Sequence, residues 1–337
     1  MFDNHYSKEM QMSFDLGIIS RLEQTIGKQL PRVEQIDYNQ ASYKTDDDLN
    51  VIFLSLLECK LEQFPKEITE LKSLQNLDLF DNQFTQLPKE IAQLSNLQYL
   101  SLDGNPLLEQ WPKEIGQLSN LQDLSLIDNQ LMQLPKEIKR LNNLLRLNLS
   151  HNLFKHLPFE ITQLRNLQIL WLNHNRLTQL SEEISGLSNL QHLDLSANNL
   201  SANNLSQFFK EIMLLPSLQT LVLKANQLTQ LPKKIALLEK VPELVLEHNQ
   251  LTQLPVEIGQ LSRLQKLDLS RNKLTQLPAE IGQLSHLQHL SLNDNQLAQL
   301  PKEIGQLSNL QKEKKKRGQY PFLSKKFVVN KRLLFSS

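Results

Sequence analysis

Two histidines, His151 and His174, each stand directly before an asparagine, and 23 residues separate them. If the chain repeats at that interval the two rings are neighbours in space, which raises the question of a metal. Zinc asks for a tetrahedral set of histidine, cysteine and carboxylate ligands. No cysteine or carboxylate is placed to complete one, so the favoured reading is a pair of exposed loop histidines. Cys59 is the chain's one cysteine, which excludes an intrachain disulfide. Its own strand offers no basic neighbour to activate a thiolate, and it reads as a buried structural thiol. The Lys-Glu pairs of units such as Leu300-Pro-Lys-Glu-Ile304 are surface charges that add little. Asn148, Asn199 and Asn204 open Asn-Leu-Ser triplets, but a glycosylation pattern has meaning only in a secreted chain. No phosphate-binding G-x-x-x-x-G-K-[ST] loop occurs. The sequence therefore predicts no catalytic group, no cofactor and no metal site, and the chain reads as a non-enzyme.

The residues that do recur are structural. Cys59, Asn82, Asn105, Asn129, Asn152, Asn175, Asn198, Asn226, Asn249, Asn272 and Asn295 follow one another at intervals of 23 residues, broken once by 24 and once by 28. A typical unit runs Leu264-Gln-Lys-Leu-Asp-Leu-Ser-Arg-Asn-Lys-Leu-Thr-Gln-Leu-Pro-Ala-Glu-Ile-Gly-Gln-Leu-Ser-His286. The L-x-L heart alternates with period two, as in a strand with leucines inward and the intervening residues outward. Asparagine supplies two donors and an acceptor to backbone groups where the chain leaves the strand. Leaving such groups buried and unpaired would cost about 1–3 kcal/mol each. Proline suits the first position of a short helical turn, where no N–H is required, and the Ile and Leu after it face inward. Eleven parallel coils at a strand spacing of ~4.8 Å would extend over roughly 50 Å.

This pattern, L-x-x-L-x-L-x-x-N-x-L followed by x-x-L-P-x-x-I-x-x-L, resembles the 23-residue leucine-rich repeats of the Ras-suppressor and plant intracellular Ras-group type. Near-identical units such as Leu300-Pro-Lys-Glu-Ile-Gly-Gln-Leu-Ser-Asn-Leu310 look like a bacterial array grown by duplication. The resemblance spans about three quarters of the chain. It implies an α/β solenoid: a curved horseshoe with parallel strands on its concave face and short helical turns on its convex face. It further implies a protein-interaction module or scaffold. Two alternatives stand beside that role, a regulator of a small GTPase or kinase pathway and a bacterial effector that recognises a host protein. Some relatives join such repeats to a GTPase domain, but with no G-x-x-x-x-G-K-[ST] in this sequence that activity is not carried over.

Three departures interrupt the pattern. One extra residue precedes Pro112, with Trp111 in place of leucine, and Ser181 replaces a proline. The pentapeptide Ser196-Ala-Asn-Asn-Leu200 is repeated in tandem, so Asn198 or Asn203 could hold the ladder. Asn198 has the normal spacing from Leu193-Asp-Leu195 and is favoured, with the surplus residues bulging before Phe208. Residues 1–50 lie outside the repeat. Phe14, Ile18, Leu22 and Ile26 mark an amphipathic helix over about 14–28, expected to cover the first coil, whose apolar end would otherwise be bare. The solenoid proper is expected over 51–311. Beyond Leu310 the template's inward leucines give way to Glu313 and Lys315. Residues 312–337 form a basic tail, read as solvated chain or the product of a coding frame slip rather than a lipid or nucleic-acid contact.

Net charge is zero, but the tail carries +8 and the body −8. An acidic body argues against nucleic acid, where affinity comes largely from neutralising phosphates. No apolar run is long enough to cross a bilayer, and no secretory signal is visible at Met1, so the expected setting is the cytoplasm and the expected state a monomer. The partner is expected to be a protein. Phe80, Tyr99, Ile127, Ile169 and Trp171, with Val222 and Val245, fall at outward strand positions where polar residues are the rule. Asp78, Asp81, Asp103, Asp123 and Asp128 flank the first part of that stripe. Together these residues predict an apolar anchor site with acidic borders, and Trp171 is the leading anchor.

Overall fold

The computed structural model describes residues 14–108, 111–200 and 204–311. The expectations for Asn203 and the basic tail lie outside them. By its internal contacts the chain divides into two units, one of Met1–Phe154 with Pro158–Trp171 and one of Lys155–Leu157 with Leu172–Ser337.

The first unit opens with helix α1 (Phe14–Ile26). Its buried side is formed by Asp15, Ile18, Ile19 and Leu22, whereas Phe14 is 56% exposed. The expected stripe is thus turned by one position, with Ile19 rather than Phe14 in the core. The reason lies in Asp15, whose carboxylate accepts the Val51 backbone N–H at 2.8 Å and pins the helix start to the first coil. Arg21 pairs with Glu70, and Thr25 donates to Glu67 at 3.3 Å. Strand β1 (Ser42–Thr45) runs antiparallel to β2 (Val51–Ser55). Five parallel strands follow: β3 (Asn76–Asp78), β4 (Tyr99–Ser101), β5 (Asp123–Ser125), β6 (Arg146–Asn148) and β7 (Ile169–Trp171). The second unit continues the plan with parallel strands β8 (His192–Asp194), β9 (Thr220–Val222), β10 (Glu243–Val245), β11 (Lys266–Asp268) and β12 (His289–Ser291).

Each strand from β3 to β12 is only three residues because one buried leucine, flanked by two outward residues, satisfies the register. Leu77, Leu100, Leu147, Leu170, Leu193, Leu221 and Leu244 are fully buried in equivalent places. The return segments are mostly single 3-10 turns, such as Lys66–Glu70 and Val256–Gln260. A turn this short cannot repay α-helical nucleation, and 3-10 geometry serves in short pieces. Proline sits one place earlier than the sequence suggests. Pro65 and Pro255 are extended N-cap residues whose carbonyls accept the first bond, from Ile68 and Ile258 N–H at 3.2 and 3.0 Å. Ser181 holds the same place with an extended φ of −123°. One return segment is a single α-helical turn, α2 (Phe159–Thr162), and the long repeat between Asn198 and Asn226 contains a longer helix, α3 (Leu205–Ile212), with Phe208 and Phe209 packed inward at 5.6 Å between ring centres.

The asparagine ladder works as a clamp between coils. Asn152 accepts the Leu131 and Asn129 N–H groups at 2.8 and 3.2 Å. Its amide donates to the carbonyls of Leu126, Leu149 and Ser150 at 2.7, 3.1 and 3.1 Å. Asn198 accepts the Leu177 N–H and donates to the carbonyls of Leu172, Leu195 and Ser196 in the same way, and therefore holds the ladder. Cys59 differs from the expected buried thiol. It is half-buried, its Sγ meets the Leu57 carbonyl at 3.6 Å, and Lys28 of the N-terminal segment reaches it at 3.9 Å. Burial nevertheless outweighs that lysine and raises the thiol's pKa.

The residue before each ladder position is left-handed: Glu58, Asp81, Gly104, Asp128, His151, His174, Ala197, Ala225, His248, Arg271 and Asp294 have φ between 51° and 67°. The conformation lets the chain turn sharply so that the asparagine points inward. A second row of side chains ties the coils where 3-10 turns lead back to strands. Asn96, Asn120 and Asn143 donate to the carbonyls of Lys72, Ser95 and Ser119 at 2.8–2.9 Å, and Asn309 does so to Ser285 at 2.7 Å. The recurring Leu-Ser-Asn-Leu was the sequence signal for this row.

Candidate functional site

Strand pairing sorts the outward side chains of the first unit into rows. One row runs Phe53, Asn76, Tyr99, Asp123, Arg146, Ile169, and the next runs Ser55, Asp78, Ser101, Ser125, Asn148, Trp171. Phe80 and Ile127 stand one outward place further on. The apolar positions named from the sequence thus occupy three rows rather than one stripe. Ile169 and Trp171 share β7, with Arg146 and Asn148 beside them on β6. Tyr99 on β4 and Phe80 just after β3 belong to a separate group three and four strands away. In the second unit Val222 and Val245 are paired neighbours on β9 and β10. Phe80 is 39% exposed, and Tyr99, Ile127, Ile169 and Trp171 are half-buried.

The aspartates divide by environment. Asp123 forms an ion pair with Arg146, the residue across from it on β6, so its charge is already answered. Asp81 and Asp128 occupy left-handed turn positions. Asp78 and Asp103 are not open acids. They are 3% and 8% exposed and held by short donors of the strand ends. Asp78 accepts the Phe80 N–H at 3.1 Å and the Ser55 hydroxyl at 3.2 Å. Asp103 accepts the Ile127 N–H at 2.6 Å and the Ser125 hydroxyl at 2.8 Å. Ser101 lies between them and bonds to either. Burial nonetheless wins, and both carboxyls are raised above the ordinary aspartate range.

These two carboxylates form the floor of a hollow of about 430 Å³. Its walls are aromatic: Tyr38, Phe80 and Tyr99, with Glu58, Asn39, Leu57 and Ser101 at the edges. Tyr38 comes from the N-terminal segment rather than the repeats. Its ring stands edge-on to Phe53 at 5.5 Å and tilted against Tyr99 at 5.5 Å. The segment expected only to cover the end of the first coil therefore also folds over its outward face. Sequence reasoning found Phe80, Tyr99, Asp78 and Asp103 but not Tyr38, which lies in a stretch without periodicity. The serines stand at the centres of Leu54-Ser-Leu56, Leu100-Ser-Leu102 and Leu124-Ser-Leu126. Burial raises the Tyr99 phenol strongly and Tyr38 in the same direction, and the nearby aspartate charges add to both.

Among the described residues no group of histidine, cysteine and carboxylate side chains could hold a metal ion. His151 and His174 are turn residues, exposed and left-handed. No helix among the described residues is long and apolar enough to cross a membrane.

Comparison with known proteins agrees with the geometry. The family described as Leucine-rich repeat region matches residues 48–132 and 243–319, and that described as Leucine Rich repeats (2 copies) matches 165–209. A leucine-rich-repeat protein of Leptospira interrogans is 46% identical over 75% of this chain and 69% of its own, with a TM-score of 0.61. The plant peptide hormone receptor RGFR1, solved in complex with RGF2, is 31% identical over 74% of this chain, with a TM-score of 0.56. This chain covers 40% of that receptor. An internalin of Listeria monocytogenes, 19% identical over 79% of this chain and 89% of its own, shares the fold at a TM-score of 0.53. No curated protein matches. With its ladder, its one-leucine strands and a relative this similar, the chain belongs to the leucine-rich-repeat family.

Proposed function

We propose that the chain is a protein-interaction module that binds an extended segment of a partner across the outward faces of its strands. The observation that supports this reading is the outward display of Phe80, Tyr99, Ile127, Ile169 and Trp171, in a fold whose inward positions already supply a complete leucine core. Aromatic side chains are enriched among the residues that dominate interfaces, whereas lone exposed apolar residues need no explanation. Five in one unit, two of them adjacent on β7, favour a binding role. One structural neighbour is a plant peptide hormone receptor solved in complex with RGF2, and this supports a peptide-like partner. The Leptospira likeness favours a bacterial array over the plant Ras-group type. Segment 14–50 serves as the cap of the first coil in this reading, and the protein acts as a monomer.

The test is selection of peptides from a random display library on the intact chain, followed by hydrogen exchange of the complex. Protection concentrated on β3–β7 supports the reading. Selected peptides that protect the 3-10 turns instead, or that bind Trp171→Ala and Tyr99→Ala variants unchanged, refute it.

A further inference from the structure

We propose that the hollow under Tyr38 is a receptor for an arginine side chain presented by the protein partner. The inference rests on the protein-binding reading only for the bearer of the arginine; the hollow's own chemistry selects the guanidinium.

Three observations converge. First, the site is acidic without a resident cation: among the described residues no lysine or arginine pairs with Asp78, Asp103 or Glu58, and none lines the hollow. Second, the two buried carboxylates are short of donors. Each ionised carboxylate offers about four acceptor sites. Against these stand, among the described residues, the Phe80 and Ile127 N–H groups and the hydroxyls of Ser55, Ser101 and Ser125. Several acceptor positions on the floor of the hollow are thus left for a ligand. Third, the walls are π faces. A cation within about 6 Å of a tyrosine or phenylalanine ring is attracted by the ring quadrupole, and the Tyr38 and Tyr99 centres are 5.5 Å apart and tilted at 58°. Burial, and after it the nearby aspartate charges, raise both phenols.

Guanidinium fits this combination better than ammonium. It is planar, carries five donors in a fixed fork, stacks on aromatic rings and is more weakly hydrated, so it enters a half-buried site at lower cost. A hollow of about 430 Å³ also admits the side chain's aliphatic stem.

The test uses the full chain, isotope-labelled, and N-acetyl-arginine N-methylamide as probe, with the leucine, lysine and glutamate analogues as comparisons. Phe80 and Ile127 are built-in reporters because their N–H groups bond to the two carboxylates. The arginine probe is expected to give saturable amide shifts centred on these residues, weakening as salt rises. The leucine and glutamate probes should give none, and the lysine probe should bind several-fold more weakly. Tyr38→Leu should weaken arginine binding at least ten-fold, and Asp78→Asn should do the same while keeping an acceptor oxygen for Phe80. Glu58→Gln, on an exposed side chain, should weaken it two- to three-fold and serves as the variant that does not touch the core. Shifts elsewhere, equal shifts from the leucine probe, lysine binding as tight as arginine, or a folded Tyr38→Leu or Glu58→Gln variant that binds as the parent does would each overturn the proposal. If the probe fails while library selection still yields peptides protecting β5–β7, the hollow alone is refuted. If the probe binds and selection yields nothing on the strands, the interaction-module reading falls instead.

Discussion

Replacing Asn249 by alanine tests whether the ladder or the leucine core holds neighbouring coils together. Asn249 is 6% exposed. Its oxygen accepts the Asn226 and Leu228 N–H groups, both at 3.0 Å, and its amide donates to the carbonyls of Leu223 and Leu246 at 3.0 Å and of Glu247 at 3.3 Å. Two of those carbonyls keep other donors, Asn272 on Leu246 and the Ala225 N–H on Glu247. The variant therefore strands three groups: two amides and the Leu223 carbonyl. At about 1–3 kcal/mol for each unsatisfied buried group, the loss is ~3–9 kcal/mol, and water entering the small cavity brings it to the lower part of that range. Because each coil touches only its neighbours, the damage should be local. Hydrogen exchange should show deprotection of Asn226 and Leu228 while amides of the first unit keep their protection, and the urea midpoint of the second unit should fall. Asn295→Ala, in the last described coil, supplies the internal control. Asn295 is half-buried, so the same substitution should cost about half as much. Equal losses at the two sites, or unchanged protection at Asn226 and Leu228, would refute the reasoning.

Other expectations follow from the same geometry. Ala225→Gly should stabilise the second unit by about 1 kcal/mol, since φ is 55° there and L-residues pay about that much in the left-handed region. Gly104→Ala should do the reverse in the first unit, because φ is 67° and a Cβ would stand 3.3 Å from the Asp81 backbone; both are read from denaturation midpoints. Burial raises the native pKa of Asp78 and Asp103 above the ordinary 3.8, so the folded state binds protons more readily than the unfolded chain. Their stabilising contribution is present below that value and is lost as pH rises through the native pKa values. Compared with an Asp78→Asn, Asp103→Asn variant, the parent should lose stability on going from about pH 4 to neutrality, and a flat difference would contradict this. Cys59 should alkylate more slowly at neutral pH than a free thiol, and Lys28→Met should slow it further by removing the charge and the hydrogen bond that lower its pKa. Trp171→Ala should leave the melting temperature nearly unchanged and weaken a selected peptide by roughly 2 kcal/mol.

The repeat residues were legible because every coil poses the same physical problem and solves it with the same side chain. Asn82 and Asn272 were recognisable for that reason, and so was the choice of Asn198 over Asn203. The left-handed row was harder, because the requirement falls on the backbone and several residue types meet it. A trace was present all the same. Three of its positions are aspartate and three are histidine, and both types are enriched several-fold at positive φ. His151 and His174, weighed as metal ligands, owe their recurrence to a turn. Tyr38 and Lys28 were invisible for the opposite reason. They answer a problem met only once in the chain, the covering of the first coil, and a feature used once leaves no period to detect.

The separation between the two outward groups constrains what can bind both. Tyr99 and Ile169 share a row across β4 to β7, three strand spacings, or about 14 Å at ~4.8 Å per spacing. An extended chain advances ~3.3–3.6 Å per residue, so a segment crossing the strands covers that distance in about four residues. Between the two groups stands the Asp123–Arg146 ion pair, which offers polar contacts but no pocket. A partner that uses both ends should therefore carry an arginine for the hollow, then three or four tolerant positions, then an apolar side chain for Ile169 and Trp171. Peptides selected on the intact chain should show that spacing in their consensus, and those selected on Tyr38→Leu should keep the apolar residue while losing the arginine. Arginine and apolar positions that vary independently in spacing would mean that the two groups serve different partners.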